Sequence, residues 1–439
     1  MLANIAFYLP NGPLGNIDYR PVTKYNPGIG GTEYLFVLNA VALSQYSDIH
    51  VTIYLESAEG LFPDSINVKA AGSLKDAIKM AKDDGINIFV AKHHPAWITE
   101  GCYENVPNDL HLIVWNHILL SKFELDYYNK NSSIESIICV GREHLDLYLD
   151  HPVYEKMDYI YNGLPFPDKD ELYNSFLPIE NRKPIVTYIS SIMPFKGFHW
   201  LAKAWSKVIK EVPDAQLMVI GSGTLYDKSQ ILGKYGITES HYEEEFMRYL
   251  TDDRGNILPS VHFLGKMGEE KNEILKNTKV GVPNPMGFNE TFCLSAVDMQ
   301  VYGCSIVSIA SPAYLDTVVD KRRLAKRASV FADSIIKELK SPLQINHSLI
   351  YDQLSEKFHY LNVAAEWHEF FIKLLNGEKK LHASHPIPNL SKNYKWWRYF
   401  IHKLYNHFSL FASVLTKWQY SRYVRKIKRI YEQYEYKQI

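Results

Sequence analysis

The chain has 439 residues, of which 46% are apolar and 22% are charged, and this is the composition of an ordinary globular protein. Its length and composition exclude a fibrous or wholly disordered chain and favour two domains of ordinary size. The 48 Lys and Arg residues balance 49 Asp and Glu residues, so the chain as a whole has no electrostatic preference for nucleic acid or for an acidic membrane.

The cysteines and the first residues of the chain indicate the compartment. Four cysteines are widely spaced and include no CxxC pair: Cys102, Cys139, Cys293 and Cys304. This spacing favours free thiols in a reducing compartment over a zinc site. The N-terminal segment is a short apolar run without a basic flank, and no stretch reaches the ~18 consecutive apolar residues that a spanning helix needs. We therefore expect a cytoplasmic protein that meets a membrane, if at all, from its surface.

Short apolar runs alternate with segments of helical periodicity along the chain. Runs at 5–9, 51–55, 86–91, 112–115 and 137–140 predict strands of a first domain, and runs at 184–189, 216–220, 261–264, 280–282 and 305–309 predict strands of a second. Segments 34–43 and 200–212 predict helices with one apolar packing face. The alternation predicts an α/β protein with two parallel sheets, each covered by helices.

We expect four segments in the chain. They are a first domain at 1–178, a second domain at 179–360, a closing helix and linker at 361–391, and a C-terminal tail at 392–439. The tail differs in composition, because it carries eleven Lys and Arg residues against only two acidic residues and is rich in Tyr, Trp and Phe.

Ligands of open α/β sheets bind beyond the carboxyl ends of the strands, so the loops that follow the apolar runs are the candidate sites. The most informative loop lies within 283–303 and leads into a helix that carries Glu290 at its start and Asp298 further along. Unpaired backbone amides at a helix start bind phosphate. We expect a diphosphate at the amides of Thr291, Phe292, Cys293 and Leu294, with a carboxylate nearby to bind hydroxyls of an attached sugar.

The spacing of Glu290, Asp298 and Gly303 resembles the signature motif of family 4 of the retaining glycosyltransferases, which are of the group 1 type. Further segments match the same family in the same order over roughly residues 4–370: Gly28-Ile29-Gly30-Gly31-Thr32-Glu33, Trp115-Asn116-His117, Pro194-Phe195-Lys196-Gly197, Gly221-Ser222-Gly223 and Val261-His262-Phe263-Leu264-Gly265. The resemblance implies the GT-B fold, in which two Rossmann-like α/β/α domains face a central cleft. It also implies that the first domain holds the acceptor and the second holds a nucleotide sugar.

The resemblance also implies roles for individual residues. Glu290 would bind donor-sugar hydroxyls near the reacting carbon, and His117 would lie beside that sugar, which makes these two the candidate catalytic residues. The other implied donor contacts are Lys196 at the diphosphate, Asp298 at the ribose, Gly30 and Gly31 approaching the phosphates, the amides of 291–294, and Gly265, Lys266 and Met267 near the base.

Three positions depart from the family pattern. Ser191 stands where the family often has an arginine, so diphosphate binding is expected to rest on Lys196 and backbone amides. Asp298 is one methylene shorter than the usual glutamate, which predicts a weaker or water-mediated ribose contact. Cys293 stands where glycine is common, which changes the closest approach of the backbone.

No residue pattern in the sequence predicts a metal site. His93, His94 and His117 lack partners at ligand-like spacing and are expected to be satisfied loop histidines. The segment Asp168-Lys169-Asp170 resembles the DxD motif of metal-dependent glycosyltransferases, but it lies in a charged connector and not after a strand. We therefore expect it to be a solvated linker.

We expect a metal-independent retaining glycosyltransferase that needs no cofactor beyond a UDP- or GDP-sugar co-substrate. Its acceptor would be a glycan or a lipid-linked acceptor, and the tail at 392–439 favours peripheral docking on an anionic membrane surface, as in polysaccharide or lipopolysaccharide assembly. The alternatives for the tail are a helix pair packed on the body or an RNA-binding segment, and no RNA-binding motif accompanies it. The alternatives for the whole chain are a phosphorylase or sugar-phosphate synthase on the same fold, and a catalytically inactive scaffold.

Overall fold

The computed structural model describes residues 2–175, 177–225, 231–287, 290–325, 327–344, 346–378 and 381–382. Within this part, the chain forms two compact units. The first contains the N-terminal residues through Thr23, the segment Thr32–Gly163 and the helix that begins at Tyr360. The second contains Lys24–Gly31 and Leu164–His359. The predicted tail at 392–439 lies outside the described residues.

The first unit contains a seven-stranded sheet in which every strand pair is parallel. Its strands are β1 Ala3–Leu9, β2 Ile49–Leu55, β3 Asn67–Ala70, β4 Ile88–Lys92, β5 His111–Asn116, β6 Ile134–Cys139 and β7 Met157–Tyr159. They lie in the order β3-β2-β1-β4-β5-β6-β7. The order reverses direction at β1, and such a switch point creates a ligand crevice at the carboxyl edge of an open sheet.

The second unit contains a five-stranded sheet, again with parallel pairs throughout. Its strands are β8 Ile185–Ile189, β9 Gln216–Ile220, β10 Val261–Gly265, β11 Val280–Val282 and β12 Ser305–Ile306. They lie in the order β10-β9-β8-β11-β12. The switch point is β8, so the loops after β8, β9 and β11 meet at one edge of this sheet.

The helices cover the two sheets. Those of the first unit are α1 Gly31–Leu43, α2 Leu74–Asp83, α3 Pro95–Thr99, α4 Lys122–Lys130 and α5 Arg142–Leu145. The second unit contains α6 Lys169–Ser175, α7 Phe198–Glu211, α8 Ser240–Met247, α9 Lys271–Asn277, α10 Leu294–Val301, α11 Pro312–Thr317, α12 Phe331–Lys340 and α13 His347–Phe358. The chain then returns to the first unit as α14 Tyr360–Leu375. In the described part, no helix is long and apolar enough to cross a membrane.

The structure confirms the predicted fold of two parallel-sheet α/β domains. All ten predicted strands are present, but the sequence did not reveal β3 and β7, which are short strands at the two ends of the first sheet. The predicted helix at 34–43 is present as α1, and it packs more completely than one apolar face requires, because every residue from Tyr34 to Leu43 is buried. A helix that is apolar all round is buried on all sides.

The second unit begins earlier in the chain than the expected division after 178. Leu164 donates its backbone N–H to the carbonyl of Phe358 at 2.8 Å, and the Tyr351 hydroxyl donates to the Pro167 carbonyl at 2.6 Å. These contacts attach the connector to α13. At the other end, Trp367 of α14 packs against Trp115 of the first sheet with ring centroids 4.9 Å apart. The closing helix is therefore part of the core of the first unit.

The segment at 168–170 is solvated as expected, since Asp168 and Asp170 are exposed, but it forms the start of helix α6 and not a plain linker. The Asp168 carboxylate accepts the backbone N–H groups of Asp170 and Glu171, both at 3.0 Å. A side-chain acceptor of this kind satisfies the unpaired amides of the first turn. Lys169 forms an ion pair with Asp352 at 2.5 Å. The resemblance to a DxD motif therefore reflects helix capping.

Candidate functional site

Three loops meet at the carboxyl edge of the second sheet, after β8, β9 and β11. Gly221 follows β9 with φ +144°, and a Cβ atom at this position would lie 1.8 Å from the Ser190 carbonyl oxygen of the loop after β8. Only glycine permits this approach of the two backbones. The Gly221-Ser222-Gly223 segment, which matches the family pattern, therefore shapes this loop for a specific steric reason.

The central feature of this edge is an ion pair between Lys196 and Glu290. Lys196 Nζ lies 2.5 Å from Glu290 Oε1, and the side chains are 18% and 10% exposed. The two residues are 94 positions apart in the sequence and come from the loops after β8 and β11. The structure thus brings together the two residues for which the sequence predicted the central roles at the donor.

Asn284 holds this pair and was not singled out by the sequence. Its side-chain N–H group donates to Glu290 Oε1 at 3.0 Å and lies 3.4 Å from the Phe195 carbonyl, next to Lys196. Its side-chain oxygen accepts the backbone N–H groups of Met286 and Gly287 at 3.0 and 3.2 Å. Asn284 is 1% exposed, so the amide group is fixed by its partners.

The backbone of Asn284 is fixed as well. Its N–H donates to the Tyr314 hydroxyl at 3.0 Å, and its carbonyl accepts from Tyr314 at 2.7 Å and from the Ser308 hydroxyl at 2.6 Å. Glu290 Oε1 is therefore engaged by two donors. The hydrogen bonds that the described residues make to this carboxylate go to Oε1.

Replacing Asn284 by Asp tests this arrangement with almost no change in side-chain shape. The substitution removes the N–H donor and places a second carboxylate beside Glu290, so we expect the bound geometry to loosen and kcat for donor turnover to fall by about 100-fold. Asn277→Asp is the matched control, because Asn277 is exposed and its side-chain N–H donates to the Glu273 carbonyl at the surface; we expect it to keep wild-type kcat. A variant Asn284→Asp with wild-type kcat would contradict the role assigned to Asn284.

The helix that follows this loop begins later than the sequence predicted. Helix α10 starts at Leu294, and Cys293 precedes it in the left-handed conformation with φ 71°. The amides of Thr291, Phe292 and Cys293 therefore belong to the loop and not to the helix start. Left-handed backbone is uncommon for residues other than glycine. Glycine is common at this position in the family that the sequence resembles, and glycine adopts the left-handed conformation without strain.

Thr291, Phe292 and Cys293 are buried. The Phe292 ring packs edge-on against Phe358, with centroids 5.2 Å apart. Burial, and to a lesser extent the charge of Glu290, raises the pKa of the Cys293 thiol to about 12. This thiol is therefore protonated at neutral pH and is not a nucleophile. The prediction of four free cysteines is confirmed.

Asp298, the second acidic residue of the motif, lies in α10 and is already paired. Its Oδ2 lies 2.9 Å from Lys271 Nζ at the start of α9, and the two side chains are 25% and 17% exposed. The sequence did not predict this partner. Ser191, at the position of the missing arginine, is 2% exposed and supplies no charge.

The last residue of β10 and the loop that follows it contain the residues expected near the base. Gly265 has φ +71° and accepts the Gly221 N–H at 2.8 Å through its carbonyl, which ties this loop to the one after β9. Lys266 is exposed and its ammonium donates to the Thr224 carbonyl at 3.0 Å. Met267 is half-buried. These three residues lie at the same edge of the sheet as Lys196 and Glu290.

The glycine-rich segment 28–31 belongs to the second unit by its contacts, although it follows the first strand in the chain. The side chain of Asn26 accepts the N–H groups of Gly28 and Ile29, both at 2.9 Å, and shapes the turn. Gly30 is buried, and a Cβ atom on Gly31 would lie 3.1 Å from Leu294 Cδ1. The turn therefore lies close to the first residue of α10.

His117 follows β5 in the first unit. Its ring lies against Trp115, with centroids 4.6 Å apart, and near Phe36 at 6.0 Å. This packing lowers the pKa of His117 well below its ordinary value, and the charges of His144 and Lys92 contribute in the same direction. The ring is therefore neutral at pH 7 and suited to hydrogen bonding.

The other histidines singled out by the sequence have protein partners or ring contacts. His93 is buried and bonds the Tyr128 hydroxyl through Nδ1, while its Nε2 lies 3.3 Å from Glu124 Oε1. The His94 ring contacts Trp97, with centroids 5.2 Å apart. Within the described ranges, no group of three His, Cys, Asp or Glu side chains is arranged to hold a metal ion.

Comparisons with known proteins agree with this fold. Residues 183–341, which lie in the second unit, match the family described as Glycosyl transferases group 1. No curated protein matches the sequence significantly. Among solved structures, sucrose-phosphate synthase from Thermosynechococcus elongatus is similar over 86% of this chain and 100% of its own, with a TM-score of 0.63 and 16% identity.

Two further structures show the same fold similarity. A glycosyltransferase from Rickettsia africae ESF-5 is similar over 86% of this chain and 100% of its own, with a TM-score of 0.59 and 11% identity. A mutant of S. aureus TarM, solved with fondaparinux, α-GlcNAc-glycerol and UDP, is similar over 68% of this chain and 58% of its own, with a TM-score of 0.51 and 15% identity. The chain therefore has the GT-B fold, and its second unit matches the Glycosyl transferases group 1 family.

Proposed function

We propose that this protein is a retaining glycosyltransferase that moves a sugar from a UDP- or GDP-sugar to a glycan or lipid-linked acceptor. The observation that carries the proposal is the half-buried pair of Lys196 and Glu290, fixed by Asn284 at the switch point of the second sheet. The match of residues 183–341 to glycosyl transferases group 1 supports the reaction class.

The chemistry of sugar transfer explains why these residue types are needed. Departure of a nucleoside diphosphate develops negative charge, and a preorganised cation stabilises it. Lys196 supplies that cation. Glu290 presents Oε2 to a hydroxyl of the donor sugar, while Oε1 stays engaged with Lys196 and Asn284. We propose that Glu290 positions the donor and that the departing phosphate assists attack from the same face, which retains the anomeric configuration.

We propose that the reaction needs no metal ion, because Lys196 and backbone amides take over the neutralisation of the diphosphate. Two of the similar structures guide the choice of substrates. TarM was solved with UDP, and sucrose-phosphate synthase is named for a sugar-phosphate product. UDP-sugars are therefore the first donors to test, and sugar phosphates belong among the acceptors.

The test is release of free nucleoside diphosphate from a panel of UDP- and GDP-sugars in EDTA, with the anomeric configuration of any transferred sugar read by NMR. We expect one donor to be hydrolysed slowly without acceptor and the configuration to be retained. Turnover that depends on inorganic phosphate would indicate a phosphorylase instead. Absence of binding and turnover with every donor would favour a catalytically inactive scaffold.

We also propose a role in cell-surface polysaccharide or lipopolysaccharide assembly at the inner face of a membrane. The proposed location at a membrane rests only on the composition of residues 392–439, in which basic and aromatic side chains are interleaved. Sedimentation with anionic phosphatidylglycerol vesicles, comparing the full chain with a chain that ends at residue 391, tests it. Equal sedimentation of the two chains would contradict the proposal.

A further inference from the structure

A second ion pair lies at the carboxyl edge of the first sheet, and the proposed function does not use it. Lys92 is the last residue of β4, and Glu33 lies in the first turn of α1. Lys92 Nζ lies 2.9 Å from Glu33 Oε1. Strands β1 and β4 are parallel neighbours at the switch point of this sheet, so the pair lies where open α/β sheets bind ligands.

The pair is partly accessible and its backbone is fixed. The side chains of Lys92 and Glu33 are 19% and 15% exposed, so each retains surface that a ligand can contact. The Tyr103 hydroxyl donates to the Lys92 carbonyl at 2.8 Å, and Lys92 is in register with Trp115 of β5. A half-buried ion pair contributes little to stability, because the cost of removing both charges from water offsets their attraction.

The surroundings of this pair include His117. Lys92 lies opposite Trp115, two residues before His117, and its charge is among the causes that lower the pKa of His117. The same charge, after burial, lowers the pKa of His94. One edge of the first unit therefore carries three polar side chains. Glu33 offers a hydrogen-bond acceptor, Lys92 offers a hydrogen-bond donor, and His117 offers a neutral imidazole.

We propose that Glu33 and Lys92 form the subsite that binds the acceptor, and that they recognise two vicinal hydroxyl groups of a sugar. One hydroxyl donates to the Glu33 carboxylate and its neighbour accepts from the Lys92 ammonium. The charged atoms lie 2.9 Å apart, which is close to the spacing of the oxygens of two vicinal hydroxyls, so the intact pair can bind one hydroxyl at each charge. This inference rests on the proposed function, because it assigns the acceptor of that reaction.

Binding of methyl α- and β-glycosides of glucose, galactose, mannose and N-acetylglucosamine in the presence of UDP tests the proposal, with saturation-transfer NMR as the readout. We expect at least one glycoside to bind the wild type, and its affinity to fall about 10- to 100-fold in Glu33→Gln and Lys92→Met, because each variant loses a charged hydrogen bond. Removing one of the two hydroxyls from the ligand should have the same effect as removing a charge from the protein. The 2-deoxy or 3-deoxy form of that glycoside should therefore bind the wild type as weakly as the complete glycoside binds Glu33→Gln or Lys92→Met.

Two further variants separate binding from a structural role. Glu33→Lys combined with Lys92→Glu restores an ion pair with reversed polarity, and we expect its thermal stability to recover while glycoside affinity does not. Lys69→Met, which breaks the Lys69–Asp84 pair elsewhere in the same unit, should leave glycoside binding unchanged.

The outcomes distinguish this inference from the proposed function. Donor hydrolysis by Glu33→Gln at the wild-type rate, together with lost glycoside binding in Glu33→Gln and Lys92→Met, supports the subsite. Wild-type affinity in both variants, or the absence of glycoside binding by a wild type that hydrolyses its donor, would overturn the subsite alone. A wild type that neither binds nor hydrolyses any donor would overturn the proposed function instead.

Discussion

Replacing Glu290 by Gln is expected to lower kcat for donor turnover by about 100-fold or more, because in the proposed function this carboxylate positions the donor sugar. The side chain keeps its length, so the packing of the loop after β11 is preserved. The glutamine side chain has only one acceptor oxygen. If that oxygen accepts the hydrogen bonds from Lys196 and Asn284, only the NH2 group remains to face the sugar, and it is a donor. Steady-state release of nucleoside diphosphate in EDTA measures the effect.

Glu244→Gln is the matched control. Glu244 is an exposed residue of α8, and within the described part of the chain its side chain forms a hydrogen bond only with the Ser240 hydroxyl. We expect this variant to keep wild-type kcat. Equal rates for Glu290→Gln and the wild type, with both folded by circular dichroism, would show that Glu290 does not act at the donor.

Arg323→Met is expected to destabilise the second unit by about 3–5 kcal/mol, because it leaves the buried carboxylate of Glu338 without its cation. Arg323 Nε donates to Glu338 Oε2, and the Glu338 side chain is fully buried. Glu338 Oε1 accepts from the Ser305 hydroxyl at 2.6 Å and from the Leu343 N–H at 3.0 Å, so the carboxylate cannot leave its position easily. Calorimetry should show a fall in Tm of about 10 °C.

The neighbouring residue provides the control for this stability effect. Arg322 is exposed and pairs with Asp320 on the surface, so Arg322→Met should leave Tm nearly unchanged. The double variant of Arg323→Met with Glu338→Gln should be more stable than Arg323→Met alone, because it removes the unpaired charge. A single variant as stable as the wild type would mean that this pair does not stabilise the second unit.

The sequence predicted the fold through hydrophobic periodicity, and its errors have physical causes. Buried parallel strands are nearly continuous apolar runs, so all ten predicted strands appear in the two sheets. β3 and β7 were missed because edge strands need only a few apolar residues, and β3 contains exposed Asn67 and Ala70. Hydrophobic periodicity also did not predict that the polar residue Asn39 of α1 is buried.

The site was only partly predictable. Lys196 and Glu290 follow strands of one sheet, and the resemblance to the glycosyltransferase family implies a donor contact for both. Asn284 was missed because its role depends on a three-dimensional arrangement of Phe195 and Glu290, and an asparagine after a strand is common in loops. The ion pair between Lys271 and Asp298 was missed for the same reason, since its two residues lie 27 positions apart on different helices.

The positions of the helix starts were the least predictable feature of the site. The expected phosphate-binding amides of residues 291–293 precede the helix, because Cys293 adopts a left-handed conformation and α10 begins one residue later. No periodicity in the sequence marks such a residue. A diphosphate at this edge would therefore meet loop amides together with the ammonium of Lys196.

Titration calorimetry with UDP and GDP, comparing the wild type with Lys196→Met, tests most directly whether the edge of the second sheet binds a nucleoside diphosphate. Lys203→Met is the control, because Lys203 is an exposed lysine of α7 in the same unit. We expect one nucleotide to bind the wild type and Lys203→Met alike, and to bind Lys196→Met about 10- to 100-fold more weakly because a charged hydrogen bond is lost. Equal affinity for Lys196→Met, or no binding of either nucleotide to the wild type, would contradict the account.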